Sequence, residues 1–395
     1  MPRRLLSTLS TLTLASTFAS VANAQIVFHP AVNYAVGDQP EGGIVFDYDA
    51  DGRLDIVVTS ENPDKIQFLR NLGGGFFATP IALPTGNATS PEGLAVLDFD
   101  GDGDRDLVFA QFSANSVRLA LNDGAGHFTL GASFPVGVEP SIVVAADFSG
   151  DGRPDAAVND RVSGDVAVLI NNGAGGFFPA TFYPVGLETR CVATGDITGD
   201  GRPDLAVTAR DDHRIRLFVN VGGGAFQVLR DLTMGSILEP QGVTLADFDS
   251  DGKLDVAMTC SGNSQQEHAS VYLQDNFGNP WVGPINGQIL PGLSPMGITT
   301  GDFDLDGHID VATANADSGD VALLKNGGIG IFFLPVFYSV GENPEALVMA
   351  SGDLDGNGTK DVVTFNRDDD NVSVLLNAIA PPRRHVPPRS PVLRP

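Results

Sequence analysis

The sequence predicts an all-β fold, a seven-bladed β-propeller with four antiparallel strands in each blade, and three observations carry that prediction. A nine-residue acidic loop, Asp-x-(Asp/Ser/Thr)-x-(Asp/Asn)-Gly-x-x-Asp, recurs seven times, beginning at Asp47, Asp98, Asp147, Asp196, Asp247, Asp302 and Asp353. Successive starts lie 51, 49, 49, 51, 55 and 51 residues apart, the span of one supersecondary unit per repeat. Between the loops, short β-branched and apolar runs are bounded by Gly, Asn and Asp, and no helical periodicity interrupts them.

In chain order, residues 1–24 come first. Arg3 and Arg4 precede an uncharged run over 5–21 and then Ala22-Asn23-Ala24, with small residues at both cleavage-determining positions. This reads as a secretory signal peptide rather than a membrane span. A buried N-terminal helix fits poorly, because Ser and Thr fall on every face. A secreted, cell-surface or periplasmic location is therefore expected, with Gln25 leading the mature chain.

The propeller is expected over residues 25–377. Its second unit supplies runs at 93–97, 107–110, 117–121 and 128–136, with a Gly/Asn turn at 122–126; the third supplies 142–146, 156–158, 166–170 and 177–185. Several runs are apolar at every position, as expected of sheets covered on both faces by neighbouring blades. The seventh unit is one strand short, since 362–365 and 372–376 are followed by Asn377 and a Pro/Arg-rich segment. Residues 31–37, Ala-Val-Asn-Tyr-Ala-Val-Gly, resemble the fourth-strand segments at 180–186 and 336–341. The N-terminal strand is thus expected to complete the last blade, closing the ring and covering an exposed edge. Residues 378–395 alternate prolines with Arg383, Arg384, His385, Arg389 and Arg394 and are expected to be a disordered tail.

A net charge of -26, from 49 acidic against 23 basic residues, argues against a nucleic-acid partner, whose phosphates demand a basic footprint. The charge has a local origin, because 25 of the 49 acidic residues stand at ligand positions in the loops. Past the leader, no stretch approaches the roughly 20 apolar residues of a membrane helix, and a monomer without a membrane span is expected. Cys191 and Cys260 are the only cysteines, so no disulfide framework holds the fold; a single bridge is possible, but buried small side chains are the preferred reading.

The loops have the chemistry of calcium sites. Calcium takes six to eight hard oxygens, and side chains at positions 1, 3 and 5, a backbone carbonyl at 7 and a further carboxylate surround one centre. Here the last carboxylate is at position 9. Four-carboxylate sets are Asp47, Asp49, Asp51 and Asp55; Asp98, Asp100, Asp102 and Asp106; Asp247, Asp249, Asp251 and Asp255; and Asp302, Asp304, Asp306 and Asp310. Asp147, Ser149, Asp151 and Asp155, like Asp196, Thr198, Asp200 and Asp204, replace one carboxylate by a hydroxyl, and the last set is Asp353, Asp355, Asn357 and Asp361. Position 7 is held by Arg53, Asp104, Arg153, Arg202, Lys253, His308 and Thr359, each read as offering its carbonyl. Up to seven Ca2+ ions are expected, with loops three, four and seven weakest because they carry least charge. Magnesium fits less well, since it prefers a rigid octahedron and retains waters. An EF-hand is excluded because position 12 is Val58, Phe109, Val158, Val207 or Met258, inside strands.

With these loops, the Asp-Leu-Ala-Val type strand that follows them and the Asn-x-Gly-x-Gly-x-Phe turns, the chain resembles the FG-GAP and VCBS repeat family, which includes the integrin α-subunit propeller. The resemblance spans nearly all of 25–377, with Phe76, Phe128, Phe177, Phe226 and Phe332 matching the aromatic after the glycine turn. It implies calcium on one propeller face and an extracellular binding or adhesion role toward a protein or glycan. Unit five departs: residues 275–281 replace the usual turn, the loop at 261–268 is longer, and Trp281 is the only tryptophan. Trp281 is either a platform for a sugar or partner or part of an insertion packed on its own blade. The six histidines share no repeat position, and neither Gly-x-Ser-x-Gly nor His-Glu-x-x-His occurs. A non-catalytic calcium-dependent binding module is the preferred reading. The second is a polysaccharide lyase or hydrolase with its site at the channel mouth.

Overall fold

The computed structural model describes residues 26–233, 238–261, 268–274, 292–341 and 349–379, and the backbone of 282–289. The leader, most of the long blade-five loop, Trp281 and the tail beyond Ile379 lie outside the described residues.

Seven four-stranded antiparallel sheets follow one another, each built from strands taken in chain order. Blade one comprises Asp38–Phe46, Asp55–Asn62, Asp64–Leu69 and Ile81–Pro84. Blade two comprises Pro91–Leu97, Asp106–Gln111, Ser116–Asn122 and Phe128–Pro135. Blade three comprises Pro140–Ala146, Asp155–Asp160, Asp165–Leu169 and Thr181–Pro184, and blade four Thr189–Gly195, Asp204–Ala209, Arg214–Gly222 and Ala225–Thr233. Blade five is Glu239–Ala246, Asp255–Ser261, His268–Leu273 and Val282–Ile289; blade six is Pro295–Gly301, Asp310–Asn315, Asp320–Leu324 and Val336–Ser339. The seventh, Met349–Gly352, Asp361–Asn366 and Asn371–Leu375, takes its outer strand from Val32–Ala35, with Val32 opposite Val374 and Tyr34 opposite Val372. The expected closure of the ring by the N-terminal strand is therefore present.

The innermost strands line a central channel of about 340 Å³, walled by side chains such as Ile44, Leu94, Val143, Val192 and Ile298. Second strands are buried at every position in blades two, three, four, six and seven, as in Asp106–Gln111 and Asp361–Asn366, because a neighbouring blade covers each face. This is why they read as unbroken apolar runs rather than alternating ones. Outer strands meet solvent; Phe182 and Phe337 are about half exposed, at 47% and 49%. In blades one to six the pairing of first and second strand carries an irregularity near the end remote from the acidic loop, as between Pro91 and Leu94 or Thr189 and Val192.

Two sequence expectations are corrected. The fourth strand of unit three is shorter than 177–185: only Thr181–Pro184 joins the sheet, while Phe177 makes an isolated bridge to Asn171. In unit one the turn aromatic is Phe77, not Phe76. Phe77 is buried and packs edge-on against Tyr34 at 5.3 Å, whereas Phe76 is 67% exposed. Phe77 stands six residues after Asn71, the same offset that separates Asn122 from Phe128 and Asn220 from Phe226, so Phe77 and not Phe76 holds the repeat position.

Cys191 and Cys260 are buried and no disulfide joins them; burial pushes the thiols up to about 11 and 12. Among the described residues, no helix is long and apolar enough to cross a membrane.

Candidate metal centres

Each acidic loop joins the first to the second strand of its blade, and its backbone is held by its own carboxylates. The position-1 carboxylate accepts the N–H of the position-6 glycine in every loop: Gly52 to Asp47 and Gly201 to Asp196 at 2.8 Å, Gly307 to Asp302 at 3.0 Å. The side chain at position 5 accepts the N–H of position 7, as from Arg153 to Asp151 at 3.0 Å, Lys253 to Asp251 at 2.9 Å and Thr359 to Asn357 at 2.7 Å. Position-6 glycines have φ between 85° and 96°, yet a Cβ on Gly52 or Gly252 would meet nothing within 4 Å. Glycine is required there by backbone conformation and not by space. Position 4 is left-handed too, at Ala50, Ser250 and Leu305 as well as at four glycines. In the sequence this requirement shows only through the glycines at 101, 150, 199 and 356.

The position-9 aspartate anchors each loop. Asp55, Asp155, Asp204, Asp255, Asp310 and Asp361 are fully buried and Asp106 nearly so. One oxygen accepts an N–H from position 2 or 3 of the loop: Phe99 to Asp106 at 2.9 Å, Ser149 to Asp155 at 2.8 Å, Thr198 to Asp204 at 3.0 Å. The other accepts the N–H of a residue closing the third strand: Asn71, Asn122, Asn171, Asn220, Gln274, Asn326 or Asn377, at 2.7 to 2.8 Å.

The side chain of that closing residue ties neighbouring blades together. Asn122 Nδ2 donates to Tyr48 O in the preceding loop at 2.9 Å and to Arg105 O in its own at 3.1 Å. Asn171 reaches Phe99, Asn220 reaches Phe148, Asn326 reaches Phe248 and Asn377 reaches Phe303, at 2.7 to 2.9 Å. Gln274, its amide nitrogen turned the same way, reaches Ile197 at 3.0 Å. The turn aromatics reinforce the joint: Phe99 packs on Phe177 at 5.0 Å and Phe148 on Phe226 at 5.5 Å.

The carboxylates converge as a calcium shell requires. In Asp47, Asp49 and Asp55; Asp98, Asp100 and Asp106; Asp247, Asp249 and Asp251; Asp302, Asp304 and Asp306; and Asp353, Asp355 and Asp361, the oxygens lie within 4.8 Å of one another. Ligands at the usual calcium distance stand no more than roughly 5 Å apart, so these donor sets fit the ion. In loops three and four, which are not among these converging sets, position 3 is Ser149 or Thr198, whose hydroxyl would stand in for the third carboxylate. Burial raises the position-9 carboxyls to about 7 for Asp55, Asp255 and Asp361 and about 8 for Asp310; the two N–H bonds oppose this and the neighbouring carboxylates add to it. A cation would relieve the crowding of like charges.

The loops differ in a way that counting carboxylates does not capture. Arg70, just before the closing Asn71, pairs with Asp49 at 2.6 Å and with Asp51 at 3.1 Å. Lys325, the residue before Asn326, contacts Asp304 and lies 3.1 Å from Asp306. The position-7 side chains of Arg53, Arg153 and Arg202 fold back onto Asp51, Asp151 and Asp200. Loops two and seven differ: among the described residues no ion pair involves Asp98, Asp100, Asp102, Asp104 or Asp106, nor Asp353, Asp355 or Asp361. The Asp104 carboxyl is raised, first by desolvation and then by Asp102 and Asp123.

A model of the FG-GAP-like repeat matches residues 47–109, 98–158, 147–207, 196–258 and 302–364. No curated protein matches the chain in sequence. Solved structures share the fold at low identity. Hydrazine synthase of Kuenenia stuttgartiensis is 14% identical, with a TM-score of 0.56 over 88% of this chain and 98% of that one. BBS1N, in complex with ARL6DN and soaked with lead, is 12% identical, with a TM-score of 0.55 over 89% and 97%. A protein from Lactobacillus plantarum is 14% identical, with a TM-score of 0.59 over 78% and 86%.

Proposed function

The chain belongs to the FG-GAP-like repeat family, and from that premise we propose that it is an exported calcium-binding propeller serving as a non-catalytic binding module for an extracellular protein or glycan. The observation that carries the calcium reading is the convergence of three carboxylate oxygens within 4.8 Å in five separate loops, on backbone held in place by hydrogen bonds. Crowded carboxylates on a preformed frame are a cost without a cation and a binding site with one.

The same arrangement explains what calcium would do. The position-9 carboxylate of each loop holds the residue that bonds the preceding loop, so an ion would stiffen the joint between two blades as well as its own hairpin. Loop two, with four carboxylates and no internal cation, is the tightest site in this reading. Loops one and six, which reach Arg70 and Lys325, are weaker than their four carboxylates suggest.

A binding role is supported by the architecture. The repeats form a closed, rigid ring whose loops are free to vary, and BBS1N, a propeller of similar fold, is found in complex with a protein, ARL6DN. The test has two stages. Chelator-stripped protein is titrated with calcium by calorimetry, and the mature chain is then applied to glycan arrays and to extracellular protein extracts with calcium or with EGTA. Calcium uptake followed by calcium-dependent capture supports the reading. Uptake without any capture removes the binding role, and no uptake removes the metal.

A further inference from the structure

At the end remote from the acidic loops, the channel opens into a cavity of about 370 Å³ whose charged lining is Glu41, Glu61, Glu92, Arg161, Arg190 and Arg367. Glu92 and Arg190 are each the second residue of an innermost strand, Pro91–Leu97 and Thr189–Gly195. They stand roughly 20 Å from the loops that follow those strands. The bulge beside each re-aims side chains at this rim.

Much of the charge here joins blades. Arg161 donates to Glu188 at 2.9 Å, Arg210 to Glu239 at 2.7 Å, and Arg367 pairs with Glu41 at 2.6 Å. In each case a guanidinium beyond the second strand of one blade meets a carboxylate at the start of the next. Three charges are left over. Among the described residues neither Glu61 nor Glu92 forms an ion pair. Arg190 reaches only Glu188, at 3.5 Å, a carboxylate already held by Arg161, and its buried Nε has no acceptor. Glu61 and Glu92 belong to blades one and two and Arg190 to blade four; Glu92 acts electrostatically on Arg190, but no ion pair joins them. Ser141 donates to Glu92, and Phe112 and Met296 add apolar surface. Burial pushes the Glu92 carboxyl up to about 7 and the Arg190 guanidinium down to about 10, as unmatched charges require.

An anion alone would leave both carboxylates unmatched, and a cation alone would leave Arg190 so. A neutral sugar brings no charge to either side. We propose that this mouth binds a free α-amino acid, its ammonium held by Glu61 and Glu92 and its carboxylate by Arg190. The cavity is of small-ligand size. The site goes beyond the calcium-dependent role and stands on the opposite face from the loops.

The test is calorimetry of the mature chain in calcium buffer, with the common free α-amino acids and with the methyl ester and N-acetyl form of the tightest one. Expected are one site per chain and a roughly tenfold or greater weakening when either charge is blocked. Glu92→Gln, Glu61→Gln and Arg190→Gln should each weaken binding at least as much. Leu72→Ala, at an exposed turn residue on the far face, should leave it unchanged, and the melting temperature of every variant reports whether it is folded. The proposal is overturned if no amino acid binds to the folded protein, if blocked forms bind equally well, or if folded mouth variants retain full affinity. Since calcium uptake is read in the same samples, loss of this site and loss of the metal sites are told apart.

Discussion

Asn71 Nδ2 donates to the carbonyl oxygen of Leu354 at 2.7 Å, joining the first blade to the seventh across 283 positions of the chain. The same amide donates to Leu54 at 2.8 Å, and its backbone N–H is held by the buried Asp55 at 2.7 Å. The ring is therefore closed twice, once by the outer strand Val32–Ala35 and once at the loops by a side-chain bond that recurs at every joint.

Asn71→Ala should lower stability by about 1–3 kcal/mol, because two carbonyls lose their donor in a largely buried joint. Chemical denaturation followed by circular dichroism measures it. Leu72→Ala, at a residue 61% exposed, serves as the control and should change stability by no more than about 0.5 kcal/mol. Equal effects of the two variants would remove the joint from the description.

Lys325→Met should act with opposite signs in the two metal states. Without calcium it leaves Asp304 and Asp306 less compensated and lowers the melting temperature. With calcium present the loss should be recovered, and loop-six affinity should rise roughly tenfold on calorimetric titration. A decrement independent of calcium would show that Lys325 does not compete with the ion.

Asp160 supplies a pH dependence away from the loops. Burial, with Asp165 opposite it in the sheet, raises its carboxyl far above the usual range. The folded state therefore keeps a proton that the unfolded chain releases near pH ~3.9. This contribution is fully present below the unfolded pKa and is lost as pH rises toward the folded one, at up to ~1.4 kcal/mol per unit. Asp160→Asn should flatten that decline and raise the melting temperature at pH ~8 more than at pH ~5. A uniform shift at both would contradict the assignment.

Much of this was readable from residue order because the loops and strands are local. Aspartates two apart with glycine at position 6 define each loop, and the Val32–Ala35 segment carries the same pattern as the outer strand Val336–Ser339. What was hidden depends on register across strands. Arg70 and Lys325 reach their loops only because the third strand returns beside the second, placing them about 20 positions downstream of the carboxylates they touch. Phe77 was legible from its spacing of six residues after Asn71, but the adjacent Phe76 shares its residue type and the two differ only in which face they present. The mouth was further from reach, since Glu61, Glu92 and Arg190 come from three blades and meet only when the ring closes.

Loop two should dominate calcium affinity. Asp100→Asn should weaken the tightest class of sites at least tenfold, since one charged ligand becomes neutral with no internal cation to rearrange. Asp49→Asn, whose carboxylate already pairs with Arg70, should have a smaller effect. Equal losses on calorimetric titration would restore simple charge counting.

Calcium titration of the EGTA-stripped mature chain, with uptake by calorimetry and melting temperature read on the same samples, decides whether these loops are metal centres that brace the ring. Saturable uptake of several ions per chain, accompanied by a rise of the melting temperature, is the expected result. A chain that takes up no calcium and melts at the same temperature with and without it would contradict the reading.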